Sequence, residues 1–476
     1  MVTSTDMPIP KSTFRGGNAY SEGHSLKGAL PYLLGVLVLA TSTGTVAQDW
    51  SFEGNARTQA VFSTQEKLPF WIYTNTNYER GELSSASVYS AAQVAFTKGP
   101  HRWEVGLSGF LRDGVTDAVA RRDLYLSYSN PWLQVVAGAK KQADRYDGLS
   151  ATNGNFLWSN NARPLPGLRI EAPEPLRLNR TFSLDWGIAH YQLNDDRYVD
   201  GTWVHYKRLG LITKFSEQHN VLLQAQHVVQ WGGTSPFSGD RPDDLEAFFK
   251  VFFAREDPVI FLNGEPGDNA LGNHMGSFLL SYQWKSQAGA LTFYREHPFE
   301  DGSGTGFQNF PDGIWGLHFA FKEKNFLDAV VYEFITTTNQ SGDTGISSND
   351  NYFTNAEYRS GWSYEGNIIG LPFIVFDRNV EIDLVNRPVT LNSLRAHHLA
   401  AKGTTGGWEY SLRTSFVERL GRASSRLEVP LENWYNYGTV SRAIQGYGIV
   451  GVVLGADLGN TTSPILAGGL TYSYSF

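Results

Sequence analysis

The chain has 476 residues, 18% charged and 14% aromatic, with 49 glycines, no cysteine and a formal net charge of −8. The missing cysteines exclude disulfides, thiolate catalysis, zinc ribbons and a lipid-modified N-terminal cysteine. The acidic balance, without a basic run, argues against nucleic-acid binding. No mature segment approaches the roughly 18 consecutive apolar residues of a membrane helix, so any crossing of a bilayer must use strands.

At the N-terminus Lys27 precedes the apolar run Ala29–Ala40, too short to span a bilayer. Thr45 and Ala47 then offer small residues before a cut ahead of Gln48. This predicts a signal peptide over 1–47 with a long leader, whose true start is Met7 or later. Residues 48–476 form the mature domain.

Period-two alternation recurs from there on. "TFSLDWGI" puts Phe182, Leu184, Trp186 and Ile188 on one face and Ser183, Asp185 and Gly187 on the other. "SFLLSYQWK", "IWGLHFAFK" and "WEYSLRTSF" repeat the arrangement. A dry aromatic face opposite a small or charged one fits lipid outside and a polar lumen inside. Asp185, Lys285, Glu409 and Arg413 are then expected to pair across the lumen.

Segments of this kind start near sixteen positions, and 350–385 has room for two more. The fold class is therefore all-β: a transmembrane antiparallel barrel of 16 to 18 strands, both ends in the periplasm, the lumen occluded by loops and a short helix. Long connections are expected over 141–179, 232–273, 298–313 and 337–392. One holds a helix with Leu245, Phe248, Phe249, Phe252 and Phe253 on one stripe and Pro242 in its first turn. Those residues predict a helix that either lies on lipid headgroups or packs over the barrel mouth as a plug, the second being the expectation carried forward. The chain closes on Leu470, Tyr472, Tyr474 and Phe476, one lipid-facing row, with Tyr472, Tyr474 and Phe476 read as the barrel's terminal signal.

Enzyme signatures are thin. "GYGIVG" (446–451) matches a dinucleotide fingerprint but runs into "VVLG", which continues as strand with no helix to meet a pyrophosphate. His397 and His398 are adjacent, so in a strand they point to opposite faces and cannot share a metal. No catalytic residue, metal site or cofactor is expected. The long loops combine aromatics with amides and a guanidinium: Trp158, Asn160, Asn161 and Arg163 in one, Gln230 and Trp231 in another. Sugars present a dry C–H face and a rim of hydroxyls, which this chemistry suits. The same composition also suits loops pinned inside a barrel mouth.

Four stretches carry a family resemblance: "LPFWIYTNTNYERG" (68–81), "LSATNGNFLWSNNARPLPGLRI" (149–170), "QHVVQWGG" (226–233) and "LNSLRAHHLAAKG" (391–403). Together they resemble the capsule assembly protein Wzi family in the form found widely among Bacteroidetes. The resemblance implies an outer-membrane barrel near eighteen strands, blocked by its own loops, that holds capsular polysaccharide at the cell surface as a lectin does. It departs from the enteric members at the N-terminus, where their helical bundle is not legible here. The expected partners are capsular polysaccharide, outer-membrane lipid and lipopolysaccharide, and the barrel-assembly machinery, for a monomer. The alternative is an outer-membrane porin or polysaccharide export channel.

Overall fold

The structure, a computed structural model, describes residues 49–260, 266–300, 302–340 and 351–476. The signal-peptide expectation over 1–47 lies outside them. From residue 48 onward the chain is one compact unit.

One sheet of nineteen hydrogen-bonded segments dominates. Two of these, Gly167–Glu171 and Leu176–Arg177, both pair with the following strand and are halves of one interrupted strand. Eighteen strands result, numbered here in chain order: β1 Trp50–Ser63, β2 Ala86–Lys98, β3 His101–Arg112, β4 Val119–Ser129, β5 Gln134–Ala139, β6 the split strand, β7 Phe182–Gln192, β8 Trp203–Lys214 and β9 His219–Trp231. After a long connection come β10 Asn273–Lys285, β11 Gly289–Phe299, β12 Gly313–Phe321 and β13 Ala329–Thr336. The circuit ends with β14 Ser393–Thr405, β15 Trp408–Arg422, β16 Ser425–Ile444, β17 Gly448–Gly459 and β18 Ile465–Ser475. Every neighbour is antiparallel, and β18 pairs back onto β1, so the sheet closes and no edge remains.

Alternation sets the two faces. Val105, Leu107, Leu124, Leu126, Leu209, Leu211, Leu412, Leu454 and Leu470 all point outward and are exposed. Their neighbours one residue away, such as Ser108, Asp123, Arg208, Arg413 and Val453, point inward. Among the described residues no helix is long and apolar enough to cross a membrane. The strands do the crossing. Tight turns and both barrel termini share one end, the periplasmic one by the rule that periplasmic turns are short. There Trp50, Phe96, Trp103 and Tyr128 run as a ring-on-ring series, with centroids 4.9, 5.7 and 5.5 Å apart. This is one arc of an interfacial aromatic girdle. Phe476 ends on β1, its amide and carbonyl exchanging bonds with Gly54 at 3.0 and 2.8 Å. A Cβ on Gly54 would lie 2.2 Å from the Phe476 ring, so only glycine fits beneath it.

Two strands escape the alternation pattern. β6 is broken by Ala172–Pro175, where two prolines remove ladder donors. β16, the longest strand at 20 residues, carries Pro430 between Glu428 and Glu432 and so reads as a connection. By contrast, the described residues of 350–385 supply no barrel strand, only two-residue pairings such as Ser363–Tyr364 with Asn367–Ile368.

The main hydrophobic core lies inside the barrel and is built largely from loops. Three connections fold inward: 64–85, 140–166 and 351–376. They contribute Phe156, Leu157, Tyr352, Phe353, Trp362, Leu371 and Phe373, all essentially inaccessible. A short helix, α1 (Phe70–Tyr73), sits among them, with Phe70 stacked on Tyr435 of β16 at 4.3 Å. Trp158 meets Trp362 edge-on at 5.3 Å.

Wall residues facing the lumen tie this plug by its backbone. Glu333 of β13 accepts from Ser150 Oγ (2.6 Å), Ala151 N (2.8 Å), Thr152 Oγ1 (3.2 Å) and Tyr294 OH (2.8 Å). Glu296 of β11 accepts from Phe156 N, Gln226 Nε2 and Ser277 Oγ at 2.8, 2.8 and 2.5 Å. Asp457 accepts from Phe70 N at 2.7 Å, and Arg419 donates to Phe373 O at 2.9 Å. His398 bonds Leu149 O and Ser415 in the lumen, while His397 faces outward, as their adjacency requires. Asp185 pairs with Arg208, which also reaches Glu171.

The helix read as a plug is a correction. α2, Leu245–Phe253, is capped by Asp244, whose side chain accepts from Ala247 N at 2.8 Å. It packs through Ala247, Phe248, Val251 and Phe252 against Trp203, His205, Val229 and Trp231. Those four wall residues share the strand parity of Leu209, Leu211 and Leu223, which is the outward face. α2 therefore lies on the exterior of the barrel near the extracellular rim, and the helix in the lumen is α1. Its own outer stripe, Leu245, Phe249 and Phe253, is left exposed.

Candidate functional site

At the extracellular mouth the first inward loop makes a strained turn. Asn75, Asn77 and Tyr78 all have φ near +55°, in the left-handed region that L side chains rarely enter. Each such residue costs on the order of 1–3 kcal/mol and persists only where its surroundings hold it. The 140–166 loop does the holding. Asn161 Oδ1 accepts from Asn75 N (3.4 Å), the Asn160 carbonyl accepts from Asn77 N (2.6 Å), and Asn75 Nδ2 donates to Ala151 O.

The turn presents Tyr78 to a cluster of guanidinium groups. Arg112, at the end of β3, lies 4.4 Å from the Tyr78 ring centroid and donates to the Tyr78 carbonyl. The exposed Arg378 lies 5.3 Å from the same ring and donates to Glu365 O (3.1 Å) and Asn367 Oδ1 (3.2 Å). Arg163 forms an ion pair with Glu365 and donates to Arg121 O at 2.7 Å. Burial, with Arg121 and Arg112 close by, lowers the Arg163 pKa from its ordinary value. Glu365, itself at φ +51°, is held by Asp195, which accepts from its amide at 2.8 Å. An aromatic ring, several fixed guanidinium donors and the amides of Asn160 and Asn367 thus converge on one partly open surface. Such a set can stack on a sugar ring and donate to its hydroxyls or carboxylates.

The sequence-predicted residues divide. Asn160 and Arg163 remain half-buried at this mouth, and Asn161 supports the turn beneath it, with Nδ2 donating to Ile368 O at 2.9 Å. Trp158 is buried in the plug core against Tyr191, Tyr206 and Trp362. Gln230 is fully buried between Gly361 O and Asn273. Trp231 lies outside the barrel beneath α2, 3% exposed. None of these three presents a face to an external ligand. Tyr78, Arg112, Glu365 and Arg378 escaped the sequence reading. The run of asparagines before Tyr78 was the available signal, because Asn tolerates the left-handed region. Among the described residues no group of His, Asp or Glu is arranged to hold a metal.

The comparisons with known proteins bear on this architecture. Residues 142–373 match the model of the family described as capsule assembly protein Wzi. Across that span the chain is similar to the Wzi family. The span opens and closes within two of the three plug segments, so it takes in most of those two together with β6–β13, while 64–85 with α1 lies outside it. Among solved structures, the chain is similar to Wzi of Escherichia coli, described as an outer membrane protein involved in group 1 capsule assembly and a carbohydrate-binding β-barrel. Identity is 14%, coverage 88% of this chain and 84% of that one, and the TM-score 0.56. It is also similar to OccK3 of Pseudomonas aeruginosa, at 12% identity, 90% and 96% coverage and a TM-score of 0.47. No curated protein sequence matches. Family and fold together identify an outer-membrane barrel.

Proposed function

We propose that this Wzi-family barrel takes part in capsule assembly as a non-catalytic surface lectin, holding capsular polysaccharide at its extracellular mouth. The observation that carries the reading is the plugged lumen, clamped by Glu333 and Glu296, beneath an external cluster of Tyr78, Arg112, Arg163, Glu365, Asn367 and Arg378. A barrel built this way offers a surface rather than a path. The exposed Arg378 and the Tyr78 ring contact the glycan, Arg112 and Glu365 position them, and Asn160 and Arg163 extend the donor set. Single-repeat affinity is weak and is multiplied by the polymer's many repeats. The E. coli relative is described as carbohydrate-binding, which supports the same class of ligand here. The exposed Tyr472, Tyr474 and Phe476 row supports recognition by the barrel-assembly machinery, and the chain acts as a monomer.

The test measures capsule retained on cells against capsule shed, in a deletion strain complemented with wild type, Tyr78→Ala or Arg378→Ala, alongside glycan binding by the purified proteins. Both variants are expected to shed capsule and to lose most glycan binding while still running as folded barrels. Full retention and full binding in both would remove the site from consideration. The porin or export-channel reading requires steady large conductance in planar bilayers, which a lumen filled by Phe156, Trp362 and Phe373 does not support.

A further inference from the structure

The outer wall carries a charge where lipid should be. Strand register aligns Leu184, Leu211, Leu223, Leu280, Arg295 and Trp315 in one continuous cross-strand row from β7 to β12. The leucines face lipid, so Arg295 faces the same way. A charged side chain on that face is destabilising unless it lies near the interface or has a use. Arg295 sits four residues from the extracellular end of β11, and Trp315 two residues from that of β12. The site therefore belongs to the outer leaflet.

Its surroundings are built. The guanidinium lies 4.4 Å from the Trp315 ring centroid and donates to the carbonyls of Pro311 (3.0 Å) and Asp312 (2.5 Å). Carbonyls fix its plane without cancelling its charge, and no ion pair to it forms among the described residues. Phe307 and Phe310 of the 300–312 connection wall the same end, and His297 stands beside it. From this cationic end a groove of about 730 Å³ runs along the row, floored by leucines and Ala225. An apolar trough ending in one fixed cation matches an acyl chain ending in an anionic head.

We propose that this groove is a binding site for the phosphate-bearing, acylated glycolipid of the outer leaflet, with an acyl chain along the trough and a phosphate against Arg295. The capsule-holding barrel is thereby seated among a defined lipid, independently of its glycan mouth. The test takes the full mature chain, delipidated in non-ionic detergent, and offers diphosphorylated lipid A, its dephosphorylated form, or phosphatidylglycerol. Native mass spectrometry then counts retained lipid. Diphosphorylated lipid A is expected to be retained about tenfold over its dephosphorylated form, as a charge-assisted contact implies; phosphatidylglycerol retained as well as lipid A would overturn the assignment to the glycolipid. Arg295→Gln should abolish the preference. Ala225→Phe, on the lipid-exposed face and away from the arginine, should fill the trough and lower retention while glycan binding is unchanged. Equal retention of all three lipids, or undiminished retention in Ala225→Phe, would overturn the assignment.

Discussion

Removing the two carboxylates that clamp the plug should turn a closed barrel into a leaky one. Glu333 receives four hydrogen bonds, three of them from Ser150, Ala151 and Thr152 of one inward loop. Glu296 receives the amide of Phe156 from the same loop, together with Gln226 and Ser277. A hydrogen bond to a charged group contributes about 1.5–3 kcal/mol net. Part of that sum is offset by no longer burying a charge, while each donor left unsatisfied costs about 1–3 kcal/mol, so removing the carboxylates costs on the order of 4 kcal/mol. A loss of about 4 kcal/mol lowers the docked-to-released ratio of the loop roughly a thousandfold. The two sites share a loop, so their costs will not add fully. In Glu333→Ala/Glu296→Ala, protease should nick the chain within 142–166, and planar-bilayer recordings should show conductance that wild type lacks. Heat-modifiable gel mobility reports that the wall itself still folds. A double variant as silent and as protease-resistant as wild type would refute the clamp.

Three further outcomes follow from the geometry. Burial pushes the Glu79 carboxyl up, but Arg80, Arg57 and Ser87 outweigh it and hold it below its ordinary value. Its stabilisation is therefore complete above the unfolded carboxylate value of about 4.3 and is lost as pH falls through the lower folded one. Thermal midpoints measured on the acid side should decline less steeply in Glu79→Gln than in wild type. A Cβ on Gly316 would lie 1.9 Å from the ring of Tyr294, which stacks on Tyr146 at 4.1 Å and donates to Glu333. Gly316→Val should cost about 1–3 kcal/mol by overpacking, seen as a lowered unfolding midpoint in detergent. Trp158→Ala should cost about 3–5 kcal/mol as a core truncation. Its glycan binding should fall together with protease resistance of the plug, whereas Tyr78→Ala should lose binding with resistance intact.

What was legible from residues follows period two. Wherever a strand alternates bulky apolar with small or polar side chains, as in Phe182–Gln192 or Asn273–Lys285, the lipid and lumen faces can be assigned without coordinates. β6 and β16 were hidden because prolines and glutamates interrupt the alternation, although neighbouring strands still supply their ladder partners. The helix over Leu245–Phe253 was legible from its 3.6-residue stripe and its cap, but not its place. An apolar stripe states that something must cover it and is silent about which side of the wall provides the cover. Trp158 and Trp231 were misleading for the same reason: a tryptophan in a glycine- and amide-rich loop suits a sugar platform and a buried wedge equally well.

Composition and alternation by themselves determined a closed, lipid-facing β-barrel, because the choice between lipid and water acts on each side chain locally and repeats every second residue. Only the tertiary structure decided which segments fill the lumen, that Leu245–Phe253 lies outside it, and that Tyr78 meets Arg112 and Arg378 at the mouth. Those contacts join residues tens to hundreds of positions apart, many of them through backbone carbonyls and amides that every sequence possesses alike. No periodicity records which of them a buried glutamate will hold.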